Sequence, residues 1–484
     1  MTERKPSIKL NMALNVILTI SSIIFPLISM QYVTRVLGPD GMGKVYFATS
    51  VITLFSMFAE LGIPVYGIRA CARVRDDRAA LSRTVHELML INLITCVAVY
   101  IVFAAALVSV PVLRQSRALL MIMSSGMLLN ALGAEWLYKA LEEYRYITIR
   151  TIFFKTAALA GIFALIRQKD DYVLYGTLTI FAAAASNLLN LLRLRRHIDW
   201  RSHGGFVLPA AELKKHIRPM LVIFMMLVAT AVYTNIDMLL LGVMKGDTET
   251  GLYGVSVKIK LGMVNLVTAA SAVLMPRMSY YIGRGRAEEA GDLIEKTLTA
   301  VCLIAFPLVC CIVMLAPECI SLLAGSEFAG AVMPMRVIMP AVIFIAISNI
   351  AGMQKLIPMG HEASVTRAAW IGACVDTALN IFLIPAFASA GAAAAAMITE
   401  SVVMLCLLRS VRLAEGRSMF KGIPLPGIII AAVMAMPACI PAVKTDAVLI
   451  VRTVAAGCCY MAVYALLIWL VWAKWTNNRK EHHK

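Results

Sequence analysis

TRVLGPDGMGKVYFA, residues 34–48, and LLLGVMKGDTETGLYGV, residues 239–255, share an outline: Leu-Gly, a short polar turn, then glycine and tyrosine opening an apolar run. Leu37 and Gly38 are echoed by Leu241 and Gly242, and Gly43 and Tyr46 by Gly251 and Tyr253. Each turn joins two stretches of about 20 apolar residues, long enough to cross a bilayer as a helix. The same turn met in both parts of a chain signals an internal repeat.

Outward from these turns, apolar runs fall near 11–33, 45–68, 88–110, 117–138, 147–166 and 172–192. The polar stretch RLRRHIDWRSHGGFVLPAAELKKHIR, Arg193–Arg218, interrupts them as a linker. Eight more runs follow, near 219–243, 253–275, 298–316, 331–353, 368–387, 390–408, 425–442 and 448–473. The expectation is an all-α polytopic membrane protein of about 14 transmembrane helices. Its parts are two pseudo-symmetric six-helix lobes, residues 1–200 and 201–412, and a C-terminal helix pair with a tail, 413–484.

Composition agrees. Of 484 residues 60% are hydrophobic and 15% charged, with a mean hydropathy of +0.81. A soluble domain is nearer one half apolar and one quarter charged, and these residues cannot supply the polar surface it would need. The net charge of +17 does not point to nucleic acid, because Lys and Arg sit in short loops between apolar runs. With the N-terminus inside, about 32 fall on cytoplasmic segments and about 10 on external ones, the bias that orients membrane proteins. Both termini are therefore expected in the cytoplasm. The first run, Leu10 to Tyr32, is long enough to span and lacks a small-residue cleavage site, so it reads as a retained helix.

Eleven cysteines lie singly or as the adjacent pairs Cys310/Cys311 and Cys458/Cys459, with no C-x-x-C, and read as packing residues. No His/Cys group has metal-ligand spacing. GPDGMGKV, Gly38 to Val45, imitates a phosphate-binding loop, but Val45 replaces the required Ser/Thr and no strand precedes it. It reads as a tight turn between helices. The segments Arg73–Glu87 and Arg286–Lys296 are amphipathic and are expected as short helices along the headgroups. Pro26, Pro64 and Pro307 are expected to kink the helices that hold them.

Charges inside apolar runs cost about 2.5 to 3.5 kcal/mol each on insertion scales, so they should face a cavity or a partner. Candidate substrate-binding cations are Lys155, Lys258, Lys260, Arg35 and Arg150. Glu60, Asp237, Asp376 and Glu400 are candidates for ion coupling or charge pairing, with Glu135 a further buried acid. Lys258 and Lys260 are two apart on a helix and cannot share one face, so one at most points inward, and Lys258 is the choice. A cationic cavity implies an anionic substrate such as a pyrophosphate. The acids allow a competing role in carrying H⁺ or Na⁺. Two similar lobes that expose a central cavity alternately to each side describe a transporter rather than an enzyme.

RVLGPDGMGKVYFA from Arg35, LGIPVYGIRACARVRDD from Leu61 and EWLYKALEEYRYITIRTIFFK from Glu135 resemble the Wzx-type polysaccharide or O-antigen flippases of the multidrug/oligosaccharidyl-lipid/polysaccharide (MOP) exporter superfamily. The likeness continues through NIDMLLLG from Asn235, GLYGVSVKIK from Gly251 and VDTALNIFLIPAFASAGAAAAAMITE from Val375. The resemblance implies a two-lobed bundle in a bacterial cytoplasmic membrane. It would turn undecaprenyl-pyrophosphate-linked oligosaccharide from the cytoplasmic to the outer leaflet for surface polysaccharide biosynthesis. It also implies a cationic central cavity, agreeing with Lys155 and Lys258, no cofactor beyond coupling to H⁺ or Na⁺, and no nucleic-acid partner. A polysaccharide polymerase and a chain-length regulator are the implied protein partners, beside the lipid-linked substrate and membrane lipids. The rival expectations are an ion-coupled drug or cation exporter of the same superfamily and a membrane-embedded glycan polymerase. The external segment Ala316 to Met335 is too short and too poor in Arg or His for the polymerase.

Overall fold

The structure is a computed structural model describing residues 8–199, 210–272, 278, 280, 281, 284, 286–415, 419–420, 423–443 and 448–482. The centre of the inter-half linker, residues 200–209, lies outside the described residues. All regular structure among the described residues is helical. Two compact units divide the chain, Met1–Gly251 and Leu252–Lys484.

The first unit contains α1 (Ile8–Glu60), α2 (Ile63–Arg73), α3 (Arg78–Ser109), α4 (Arg117–Gly133), α5 (Glu135–Ala140), α6 (Tyr144–Leu165), α7 (Tyr172–Ala184), α8 (Ser186–Leu194) and α9 (Ala210–Lys245). Helix α10 (Asp247–Ala272) starts in it. The second unit continues with α11 (Ala287–Met314), α12 (Ala316–Leu323), α13 (Val332–Ile338), α14 (Ala341–Asn349), α15 (Glu362–Glu415), α16 (Leu425–Met434) and α17 (Leu449–His482).

Nine helices among the described residues are long and apolar enough to cross a bilayer. A tenth crossing is the bent pair Ser326–Ile338 and Ala341–Leu356, which meet at 45°. Their outward side chains are those of a lipid-solvated surface: Ile101 is 66% exposed and Phe382 75%. Two elements are too long for one passage. At a rise of 1.5 Å per residue, helices of 53 and 54 residues would each run roughly 80 Å against a hydrocarbon core of about 30 Å. Each is in fact two helices joined through a kink, at Gly38 (φ 66°) in α1 and at Ala388 (φ 48°) in α15.

Three prolines behave differently. Pro26 and Pro307 lie inside α1 and α11, whereas Pro64 occupies the first turn of α2, where its missing N–H costs nothing. The amphipathic segments are not separate surface helices. They form the first turns of α3 and α11, and Asp77 caps α3 by accepting the N–H groups of Ala79 (2.9 Å) and Ala80 (3.1 Å).

The repeated turn is also set differently from the sequence pairing. Gly38 (φ 66°) matches Gly246 (φ 85°), not Gly242, because both supply the left-handed residue on which their turn pivots. Five residues further on, Gly43 and Gly251 then correspond, and the two turns touch reciprocally. A Cβ on Gly43 would lie 1.7 Å from the carbonyl oxygen of Asp247, and one on Gly251 would lie 2.0 Å from that of Pro39. Main chain meets main chain there. Beside it a Cβ on Gly242 would meet the Phe47 ring at 2.3 Å.

Each unit has its own packed interior. In the first, Ile63, Leu88, Trp136, Leu137 and Met220 form one cluster, and Phe47, Phe103, Leu120 and Met123 another. In the second, Leu315, Ala432, Tyr460 and Tyr464 join the last helices. Cys310, Cys311 and Cys319 pack against that cluster and Cys439 lies within it. All eleven thiols are free.

Candidate functional site

The first unit holds a continuous polar chain inside its apolar interior. It begins at the left-handed break of Ala134 (φ 41°), which ends α4 and points the first residue of α5, Glu135, back among the helices. The carboxylate is shared between two cations: Oε1 accepts Lys139 Nζ at 2.8 Å and Oε2 accepts Arg150 NH2 at 2.8 Å. The Arg150 side chain is 2% exposed. Its NH1 donates to the Ser186 carbonyl at 2.9 Å and to Asn187 Oδ1 at 3.5 Å, and the Tyr146 ring lies 5.5 Å from the guanidinium carbon.

Asn187 relays the chain. It donates to Asn130 Oδ1 at 2.8 Å and accepts from Asn190 at 3.2 Å. Asn130 in turn bonds Glu60, the last residue of α1. Gly133 lets Asn187 in, because a Cβ there would sit 2.4 Å from that of Asn187. Glu60 and Arg150, two charges singled out by their apolar surroundings, are thus linked through two asparagines that carry no charge signal.

Lys155 lies one and a half turns beyond Arg150 on α6 and faces α1. Its Nζ donates to Ser22 Oγ at 2.8 Å and Ser21 Oγ at 3.2 Å. Arg35 is exposed and donates to the Gln31 carbonyl of its own helix at 2.7 Å, away from this chain of bonds. Asp237 on α9 is buried, with Oδ1 accepting the N–H of Met238 at 2.7 Å.

In the second unit Asp376 is 0% exposed within α15. Asn380, one turn on, donates to Oδ2 at 3.0 Å, and Thr399, beyond the Ala388 kink, donates to Oδ1 at 3.1 Å. Asn380 Oδ1 is buried with no hydrogen-bond partner. The kink therefore gathers a carboxylate, a hydroxyl and an uncommitted amide oxygen, a hard-oxygen set suited to a proton or a small monovalent cation. No cluster of three His, Cys, Asp or Glu fit for a metal ion occurs among the described residues. Glu400 is buried and within electrostatic range of Lys260, which is half-buried, while Lys258 is exposed.

A second buried carboxylate in the first unit escaped the sequence reading. Glu87 is 0% exposed, with Oε2 2.6 Å from His216 Nε2 and 2.9 Å from Lys215 Nζ. His216 Nδ1 meets the Tyr66 hydroxyl at 2.8 Å. This clasp ties the start of α9 to α2 and α3. Near the reciprocal turns, burial raises the carboxyl pKa of Asp247, with Asp40 adding to the rise and Lys44 opposing it.

Residues 8–282 match the family model described as polysaccharide biosynthesis protein, and residues 222–354 match the MatE model. A protein of Escherichia coli (strain K12) described as "Putative O-antigen transporter" is 21% identical over 414 residues, spanning 85% of this chain and 98% of its own length. One of the same description from Shigella dysenteriae is 22% identical over 394 residues, spanning 80% and 96%. Among solved structures, the lipid II flippase MurJ in an inward closed conformation superposes with a TM-score of 0.77 at 14% identity, over 96% of this chain and 99% of that one. An inward-facing multidrug resistance MATE family transporter of the MOP superfamily gives 0.64 at 13% identity, over 84% and 99%. At such identities the two structures speak to the fold alone.

Proposed function

Because the chain belongs to the polysaccharide biosynthesis protein family, as a Wzx-type member of the MOP exporter superfamily, we propose that it flips a lipid-linked oligosaccharide across the membrane without making or breaking a covalent bond. The cargo on this reading is undecaprenyl-pyrophosphate-linked, and it passes from the cytoplasmic to the outer leaflet of a bacterial inner membrane. The termini are cytoplasmic. A polysaccharide polymerase and a chain-length regulator are the protein partners this route requires. Fourteen crossings follow if α1 and α15 each count twice and the bent pair, α4 and α10 once each.

The observation that carries the reading is the placement of ionisable side chains inside membrane-spanning helices of both units, buried Arg150 and half-buried Lys155 in one and buried Asp376 in the other. Such groups are costly in a bilayer and mark a transport path or its coupling device. Lys155, held by two hydroxyls rather than a carboxylate, can exchange them for a phosphate oxygen, and Lys258 is its counterpart in the second unit. Asp376, Asn380 and Thr399 bind the coupling ion, H⁺ or Na⁺, and the two halves expose the cargo alternately.

Depleting the protein and measuring which leaflet holds lipid-linked oligosaccharide tests the proposal. Accumulation on the cytoplasmic side with loss of surface glycan is expected; intact surface glycan without accumulation overturns it. The MatE match over residues 222–354 favours drug export as the second reading. That reading predicts raised drug susceptibility on depletion, with surface glycan unchanged.

A further inference from the structure

The last two turns of α15 stack charge above grease. Leu405, Leu408, Arg409 and Arg412 lie at i, i+3, i+4 and i+7 and therefore form one stripe, with the two leucines towards the membrane and the two arginines at the helix end. Met419 and Phe420 return opposite this stripe and enclose with it a cleft of about 570 Å³. No carboxylate is among its lining residues. The cleft opens sideways, since Leu405 is 59% exposed and neighbouring Leu413 78%. The start of α9 has a similar stripe, with Lys214 and Arg218 above Leu221, Val222 and Met225, but there a single helix supplies every lining residue. Of these two clefts, the one at α15 has a second wall.

We propose that this cleft is a binding site for an anionic glycerophospholipid of the cytoplasmic leaflet. The two guanidinium groups take the phosphodiester through paired charge-assisted hydrogen bonds. Leu405, Leu408 and Phe420 hold the first carbons of the acyl chains. Three features select this occupant: two cations with no carboxylate among the described lining residues, a lateral opening onto lipid, and a place at the basic end of a span, where the inner leaflet's negative potential is worth about 1 kcal/mol per Arg. The site rests on the membrane reading of the chain and is independent of what the protein carries. A pyrophosphate-bearing isoprenoid shares the phosphate chemistry, so the test must separate the two sources.

Native mass spectrometry of the full chain, titrated with phosphatidylglycerol and with phosphatidylcholine, reads the site. Two arginines at about 1 kcal/mol each predict a preference for phosphatidylglycerol of about tenfold or more. Arg409→Gln with Arg412→Gln should erase it, and Lys214→Gln with Arg218→Gln should leave it. An equal preference in the first double variant, or none in the unaltered chain, overturns the proposal. So does displacement of phosphatidylglycerol by equimolar undecaprenyl pyrophosphate, which would give the cleft to the isoprenoid. Should the double variant not fold, a diazirine-bearing phosphatidylglycerol on the unaltered chain serves instead. Labelling at residues 405–420 supports the site, and labelling confined elsewhere removes it.

Discussion

Glu135 and Asp376 are both carboxylates placed inside apolar helices, and their surroundings differ in kind. Glu135 is locked between Lys139 and Arg150, and Arg150 is itself bonded onward through Asn187 to Asn130 and Glu60. Asp376 receives an amide and a hydroxyl from its own kinked helix, and the amide's oxygen is uncommitted. A carboxylate balanced by fixed cations has little reason to exchange partners. One that accepts from an amide and a hydroxyl, beside a spare amide oxygen, is joined to groups that carry no charge of their own. The first arrangement cross-links helices, and the second gathers neutral oxygens across a kink.

The contrast is most readily broken at Arg150. Replacing it by Ala leaves Glu135 with Lys139 alone and the buried Ser186 carbonyl without its side-chain donor, so a loss of about 1 to 3 kcal/mol is expected. Thermal unfolding of detergent-purified protein measures it, and a melting temperature unchanged from the parent would show the network to be dispensable. Asp376→Asn should do the opposite, leaving folding near the parent, within about 1 kcal/mol, because amide and hydroxyl donors tolerate an amide. Transport in proteoliposomes should fall by at least about tenfold and lose its dependence on an imposed H⁺ or Na⁺ gradient. Undiminished, gradient-dependent transport would take Asp376 out of the coupling role.

Lys155→Ala comes next in size. It removes a cation whose partners are two serine hydroxyls, so expression and folding should survive while the apparent affinity for lipid-linked substrate drops severalfold. Equal affinity would mean that Lys155 only cross-links α6 to α1. Lys258→Ala gives the corresponding test in the second unit.

The smallest effect concerns a third carboxylate, Asp247, in the turn outside the spans. Burial raises its folded pKa, so the stability it contributes is complete below the ordinary carboxylate range and lost as pH rises from that range through the raised folded value. Asp247→Asn should therefore melt with the parent near pH 4 and slightly above it at pH 7. A variant that melts lower at pH 7 would mean that the attraction of Lys44 outweighs burial.

Much of this was legible in the residues. Apolar runs marked the spans because lipid leaves little freedom in composition, and charges within those runs pointed to Glu60, Arg150, Lys155, Asp237, Asp376 and Glu400. The pairings were not legible. Arg150 meets Glu135 because Ala134 adopts a left-handed conformation that no composition rule predicts. Asn130, Asn187, Asn380 and Thr399 carry no charge, so their place in polar networks appears only when helices are brought together. Glu87 and His216 hid in stretches read as surface, since an amphipathic pattern looks alike whether its polar face meets water or a neighbouring helix. The turn register slipped by four residues because Leu-Gly recurs by composition, whereas the left-handed glycine is set by backbone geometry.

The crossing of Gly43 over Asp247 and Gly251 over Pro39 has a consequence for how the two turns can separate. Main chain lies on main chain at both points, leaving no room for even a methyl group at either glycine. The contact therefore cannot loosen by degrees: with no side chain between them to rotate away, the two backbones stay together or part as whole turns.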